Sequence, residues 1–241
     1  MLRTLNVSYN KIGSIGMMKL LSRLKKSGAL TSMIMSGNDL SENQDKFVSL
    51  QKFLSRNESC TSLVMNACSL KDQSMVFFGA GLAMNTALVR LNLAENDLLS
   101  KEGLNHFMKG LIDNKKESKL IEIDFSKCRF MSKMMQPFAK LFSANYKIRH
   151  LNLKNNNITD DGAGELLESM VSNEFITKVV LDMNPIKFNI LKEIEAHTKG
   201  NMNKVNAQEV PSMIEEIIEV KKSTAQALYD CAMDPLIQKK V

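Results

Sequence analysis

The sequence predicts an α/β solenoid made of seven copies of one strand–turn–helix unit, with parallel strands on the concave side and helices on the convex side. Three observations carry this expectation. The pattern L-x-x-L-x-L-x-x-N-x-L, with Ile, Val, Met, Phe or Cys at some of its positions, begins at Leu2, Leu30, Cys60, Leu88, Leu120, Ile148 and Ile176. These starts are 28, 30, 28, 32, 28 and 28 residues apart, a register too regular for chance. Within a copy the hydrophobic period changes from that of a half-buried strand to that of a helix. A unit of this size buries too little surface to stand alone, so stability requires stacked neighbours.

Residues 151–170, LNLKNNNITDDGAGELLESM, show the unit most clearly. Leu151 and Leu153 share one face while His150, Asn152 and Lys154 share the other, as a half-buried strand requires. After Ile158 the apolar residues Leu166, Leu167, Met170 and Val171 form a helical stripe. Thr159 is placed to cap this helix, and Asp160 and Asp161 fall in its first turn, where negative charge meets the positive end of the dipole. The other strands follow in chain order around Leu5 and Val7, Met33 and Met35, Leu63 and Met65, Leu91 and Leu93, Ile123 and Phe125, and Val179 and Leu181. Asn10, Asn38, Asn96, Asn156 and Asn184 come just after their strands, where an inward amide can satisfy buried backbone groups of adjacent turns. Cys68 and Cys128 take that place in two copies, and Cys60 opens the first of these. All three read as buried ladder residues rather than as metal ligands or disulfides. Met33, Met35 and Met65 read as core filler.

At this point the pattern resembles the leucine-rich-repeat proteins of the ribonuclease-inhibitor subtype, whose long repeats carry a full helix on the convex side. The resemblance covers residues 1–200 and implies a right-handed, horseshoe-shaped solenoid of repeats about 28 residues long. Such a motif is specific for fold and poorly specific for function. Departures fall in the second, third and fifth helices, where Gln44, Ser74 and Met134 replace the glycine seen at Gly16 and Gly162. Pro137 predicts a late start or a kink in the fifth helix.

The two ends read differently. Leu2, Leu5, Val7, Leu20 and Leu21 are expected to form an apolar edge with no preceding repeat to cover it. At the other end Ile190, Leu191 and Ile194 predict a closing helix over 190–197, and GNMNKVNAQEVP, from Gly200, reads as a connector. The expected division is therefore 1–200 for the solenoid and 201–241 for a connector and a last helix. Ser212 with Glu215 forms a capping box for that helix. Ile214, Ile217, Ile218 and Leu228 lie along its apolar stripe, which can fold back onto the solenoid or dock on another chain; docking is expected, because the closing helix already covers the repeats.

Composition narrows the function. The chain has 44% hydrophobic and 24% charged residues, a net charge of +6 and a pI near 9.0. No apolar run reaches the roughly 18 residues a membrane helix needs. With the first repeat starting at Leu2, no signal peptide is expected, and the compartment is read as cytoplasmic, with a cilium or the cytoskeleton as a specific version. His106, His150 and His197 are scattered, Gly79 and Gly81 lie inside the helical run VFFGAGLAM, and no zinc spacing or nucleophile elbow occurs. No enzyme activity, cofactor or metal is expected. Basic residues are dispersed among acids and the strands lack outward aromatics, which disfavours nucleic acid and leaves acidic protein surfaces as the partners that positive charge would favour.

The best-placed polar residues are on the outward face of the strands. Parallel pairing would align Arg90, Glu122 and His150 in one row and Lys154 with Asp182 in another. Glu122 and His150 could serve as an acid–base pair, but a ladder of alternating charges that neutralises itself is the simpler reading. Ile34 and Val64, outward on adjacent strands beside Gly37 and Ala67, make an apolar patch suited to anchor a partner side chain. The function expected is a non-catalytic protein-interaction scaffold within a larger assembly, and similar repeat proteins occur in axonemal complexes. The alternative is a regulator of an enzyme, since the repeats also resemble those of the Ran GTPase-activating protein and of ribonuclease inhibitor. Against these stand the missing acidic tail and the basic charge. An innate-immune sensor would need a nucleotide-binding domain that these residues lack.

Overall fold

The computed structural model describes residues 2–25, 27–144, 146–204 and 206. Residues up to Asn201 form one compact unit, and of a second unit, 202–241, only Met202, Asn203, Lys204 and Asn206 are described. Seven parallel strands form a single sheet in chain order. They are β1 (Thr4–Asn6), β2 (Ser32–Ile34), β3 (Ser62–Val64), β4 (Arg90–Asn92), β5 (Glu122–Asp124), β6 (His150–Asn152) and β7 (Lys178–Val180). Helices alternate with them: α1 (Ser14–Leu24), α2 (Val48–Leu54), α3 (Asp72–Leu82), α4 (Lys101–Asp113), α5 (Gln136–Ser143) and α6 (Asp160–Met170). A last helix, α7, runs over 188–204. The fold is thus an α/β leucine-rich-repeat solenoid.

The core lies between the sheet and the helices. Its sheet side is the middle residue of each strand, and Met33, Leu63, Leu91, Ile123 and Leu151 are at most 2% exposed. Its helix side is the stripe exemplified by Met17 and Leu21 of α1, Phe78 of α3, Phe107 of α4, Phe138 of α5 and Leu166 of α6, all fully buried. Phe107, Phe125, Phe130 and Phe138 meet at centroid distances of 5.5 to 6.1 Å, which ties the fourth and fifth repeats together.

Strands this short hold their register through the turn that follows. The residue before each ladder position has a left-handed backbone: Tyr9, Gly37, Ala67, Glu95, Lys127, Asn155 and Met183 have φ between 53° and 66°. Non-glycine residues enter that region at a cost. The reward is that the N–H of each of the first six turn residues reaches the next repeat, as in Tyr9 N–H to Ser36 O (2.8 Å) and Asn155 N–H to Asp182 O (2.8 Å).

The expected asparagine ladder then closes the turn. Asn96 Oδ1 accepts the N–H groups of Cys68 (3.0 Å) and Leu70 (3.1 Å), while Asn96 Nδ2 donates to Met65 O (3.0 Å) and Leu93 O (2.9 Å). Asn38 and Asn156 make the same four bonds in their own repeats. Where cysteine replaces asparagine, the thiol donates to the same strand carbonyl of the preceding repeat: Cys68 Sγ to Met35 O (3.3 Å) and Cys128 Sγ to Leu93 O (3.4 Å).

A second ladder, which the sequence reading missed, secures the helix C-terminal rim. Asn57, Asn85, Asn114, Asn173 and Asn201 are all at most 7% exposed. Asn85 Nδ2 donates to Leu54 O (2.6 Å) and its Oδ1 accepts from Leu88 N–H (2.8 Å). Asn173 and Asn201 donate in the same way to Phe142 O (3.1 Å) and Asn173 O (2.8 Å). The near-28-residue recurrence of these asparagines is visible in the sequence but lies outside the strand motif.

Several local expectations change. Thr159 stands at the N-cap of α6 without a side-chain cap bond; its N–H and hydroxyl instead meet Ser132 Oγ at 3.0 and 2.7 Å, so the residue joins repeats rather than capping. Pro137 does produce a late start: a 3-10 turn (Ser132–Met134) precedes α5, with proline in its first turn, where the missing N–H costs nothing. Gln44 likewise stands in a 3-10 turn (Gln44–Phe47) before α2, whereas Ser74 lies within α3 and donates to Lys71 O (2.6 Å). Leu21, expected at an uncovered edge, is fully buried; Leu5, Val7 and Leu20 are partly buried, and Leu2 is 56% exposed. Helix α7 continues through Gly200 to 204, past the expected end, because Asn201 supplies the rim bonds that a connector would lack. The stripe at Ile214, Ile217, Ile218 and Leu228 lies outside the described residues.

Two outcomes follow from the ladders. Asn96→Ala strands buried backbone donors and is expected to cost about 3 kcal/mol of unfolding free energy, while Asn10→Ala, at an exposed position, costs under about 1 kcal/mol, both read from urea denaturation. Burial also pushes the Cys60 and Cys68 thiols up to about 11 and the Cys128 thiol to about 12. The stability these protonated thiols contribute is complete below the ordinary thiol pKa and is lost as pH rises through about 11 to 12. In a Cys231→Ser background at pH 8, a thiol reagent should therefore label these three only after unfolding.

Candidate functional site

The outward face of the sheet is a set of columns fixed by strand register. Arg90 pairs with Glu122, Glu122 with His150, and His150 with Lys178, so the expected row exists. Parallel spacing brings these exposed side chains within about 4.8 Å of one another along the backbone. They do not neutralise themselves, however: among the described residues no ion pair joins Arg90, Glu122 and His150. Neutralisation occurs further along, in the turns, where Lys127 meets Glu95 at 3.2 Å and Arg129 meets Asp97 at 3.3 Å. Lys154 and Asp182 are neighbours through the turn bond of Asn155, again without an ion pair. The row is left to face solvent.

The next column is Asn6, Ile34, Val64, Asn92, Asp124, Asn152 and Val180. Its polar members have a structural task. The side-chain oxygens of Asn6, Asn92, Asp124 and Asn152 each accept the N–H two residues on, at 2.8 to 3.0 Å, which shapes the turn out of the strand. Ile34, Val64 and Val180 have no oxygen to offer. Ile34 and Val64 are directly paired in register and partly exposed, so two adjacent repeats give up the turn-stabilising side chain and place apolar surface side by side. At Gly37 a Cβ would lie 2.2 Å from the Tyr9 ring, so glycine lets the 73% exposed tyrosine lie against this turn. Tyr9 was not singled out from the sequence. Its position one residue before Asn10, next to a glycine in the following repeat, is the signal that could have found it.

Between the apolar and charged parts lies a shallow pocket of about 180 Å³, with Val64, Arg90, Glu122 and Asp124 among its walls. Asp124 is engaged by Asn152 Nδ2 at 3.0 Å and by Ser126 N–H at 2.8 Å, so Glu122 is the carboxylate free to meet a partner. The face offers anchoring and charge matching. Elsewhere His106 is exposed on α4, and His197 on α7 is partly buried with Nε2 unpartnered. Among the described residues no group of three or more His, Cys, Asp or Glu could hold a metal ion, and no helix is long and apolar enough to cross a membrane.

Known proteins agree with this architecture. A leucine-rich-repeat family model matches residues 1–21 and 144–167. Mus musculus ribonuclease inhibitor is 26% identical over 169 residues, covering 70% of this chain and 36% of that protein. The chain thus spans about a third of that relative's length. Among solved structures, Leiomodin-1 Actin-Binding Site 2 matches with a TM-score of 0.54 at 16% identity, over 82% of this chain and 96% of that one. The tropomodulin C-terminal domain of Caenorhabditis elegans matches with a TM-score of 0.50 at 10% identity, over 80% and 98%. At those identities the structures bear on fold alone. Together with the repeats themselves, the matches support a leucine-rich-repeat protein similar to ribonuclease inhibitor, a class whose extended surface suggests protein–protein contact.

Proposed function

We propose that the chain is a non-catalytic scaffold that binds another protein on the outward face of its sheet, as a subunit of a larger cytoskeletal or ciliary assembly in the cytoplasm. The observation that carries this reading is the break in the turn-shaping column at Ile34 and Val64. Four of the seven repeats carry Asn or Asp there, and the aliphatic side chains forgo a backbone hydrogen bond in return for contact area. Tyr9 would extend the anchor, and Arg90, Glu122, His150 and Lys154 would set the register of the partner by charge. The stripe at Ile214, Ile218 and Leu228 is proposed, on sequence alone, as a second contact with another chain. Leiomodin-1 Actin-Binding Site 2 carries actin in its name, which makes actin a concrete partner to test.

A regulator of an enzyme is the second reading, favoured by the match to ribonuclease inhibitor. The net charge of +6 works against capture of a cationic nuclease.

The test is Ile34→Asp with Val64→Asp in the full chain. Because both sites are partly exposed, thermal stability should fall by only a few degrees while recovery of native partners, and sedimentation with actin filaments if actin is the partner, drops at least about tenfold. An unchanged partner set in a folded double variant would overturn the proposal. Inhibition of a ribonuclease by the wild-type chain would favour the second reading.

A further inference from the structure

We infer a second docking surface on the helical side, a lysine-walled apolar groove between α4 and α5 that fits an acidic amphipathic helix of a partner protein. The groove has a cause in the packing. Helix α4 is drawn against α3 by backbone-to-backbone contact: a Cβ at Gly110 would lie 2.0 Å from Gly79 O, and one at Gly79 would lie 2.3 Å from His106 O. On its other side α4 faces a helix that starts late. The 3-10 turn and Pro137 shorten α5 to 8 residues against 13 in α4, so the two helices cannot close along their full length. A groove of about 340 Å³ results, with the partly exposed Ile112 beside the buried Met108 and Pro137 as its apolar lining and Asn105, Lys109 and Lys140 as its polar walls.

Charge identifies the occupant. From Lys101 to Lys140 the chain has nine Lys and Arg against five Asp and Glu, so four of the net six positive charges fall in these 40 residues. Glu122 and Asp124 are on β5, and Lys127 and Arg129 follow it paired to Glu95 and Asp97, which leaves seven Lys against three acids in the rest of the segment. Lys109 is held by Asp113, but Lys115, Lys116 and Lys140 are exposed and, among the described residues, have no ion-pair partner. Lys115 and Lys116 lie in the turn that follows α4, three and four residues beyond Ile112. An apolar trough between cations suits a helix with aliphatic residues at i, i+3 and i+4 and carboxylates flanking that stripe. Strand-face binding and this surface use opposite sides of each repeat, so one scaffold can hold two partners.

The experiment is fluorescence anisotropy of the full chain with a labelled acidic amphipathic peptide about four turns long. Lys115→Glu with Lys140→Glu should weaken binding at least about tenfold, while Lys19→Glu on α1 leaves it unchanged. A peptide with the same charge and serine in place of its aliphatic residues should also lose binding at least about tenfold. Absence of binding, equal loss with Lys19→Glu, equal binding of the serine peptide, or tighter binding of single-stranded DNA or anionic vesicles would overturn the inference. Circular dichroism of each variant separates loss of the groove from loss of the fold.

Discussion

The constraint on which this molecule depends is that a strand of three residues cannot hold its neighbour by strand pairing alone. Each repeat leaves the sheet through a left-handed turn residue, and the backbone groups exposed there would be buried without partners in the stack. Asn38, Asn96 and Asn156 resolve this by accepting two N–H groups of the preceding repeat and donating to two carbonyls. The rim ladder through Asn57, Asn85, Asn114, Asn173 and Asn201 satisfies carbonyls at the helix ends by donation, and Asn57, Asn85 and Asn173 accept the N–H groups two and three residues further on. Two parallel rows of amides thus fix the register that aligns the outward columns.

Cysteine can stand in the first row because its thiol keeps one of those bonds, to the carbonyl of the preceding strand, and fills the apolar space beside it. The exchange also raises the thiol pKa, so the residue remains protonated and inert. The functional face inherits its order from this arrangement. Arg90, Glu122 and His150 are neighbours only because the ladders set each strand against the next without slippage.

The fold was legible because the motif is periodic and every copy repeats the same apolar positions. Asn96 and Cys128 could be placed from spacing, and Pro137 foretold the late start of α5. Other features were hidden for identifiable reasons. Thr159 looks like a cap in isolation, but Ser132, 27 residues away, claims its hydroxyl. The charges of Arg90, Glu122 and His150 suggested mutual neutralisation, yet the ion pairs form one turn further on, at Glu95 with Lys127 and Asp97 with Arg129. The end of α7 is hidden because Gly200 breaks the local pattern while Asn201 is tied by its side chain to Asn173 O and Ile176 O, far away in sequence. On the outward face, Ile34 and Val64 were legible as apolar residues, but their meaning came only from the column they interrupt.

The most direct measurement of the ladder's role is native-state hydrogen exchange of Asn156→Leu beside the wild-type chain. If side-chain amides hold the repeats in register, the N–H groups of Cys128 and Phe130, which Asn156 accepts at 2.9 and 3.0 Å, should lose protection first, with the loss spreading to β5 and β6 and not to β1 and β2. Unchanged protection at Cys128 and Phe130 would show that core packing alone sets the register.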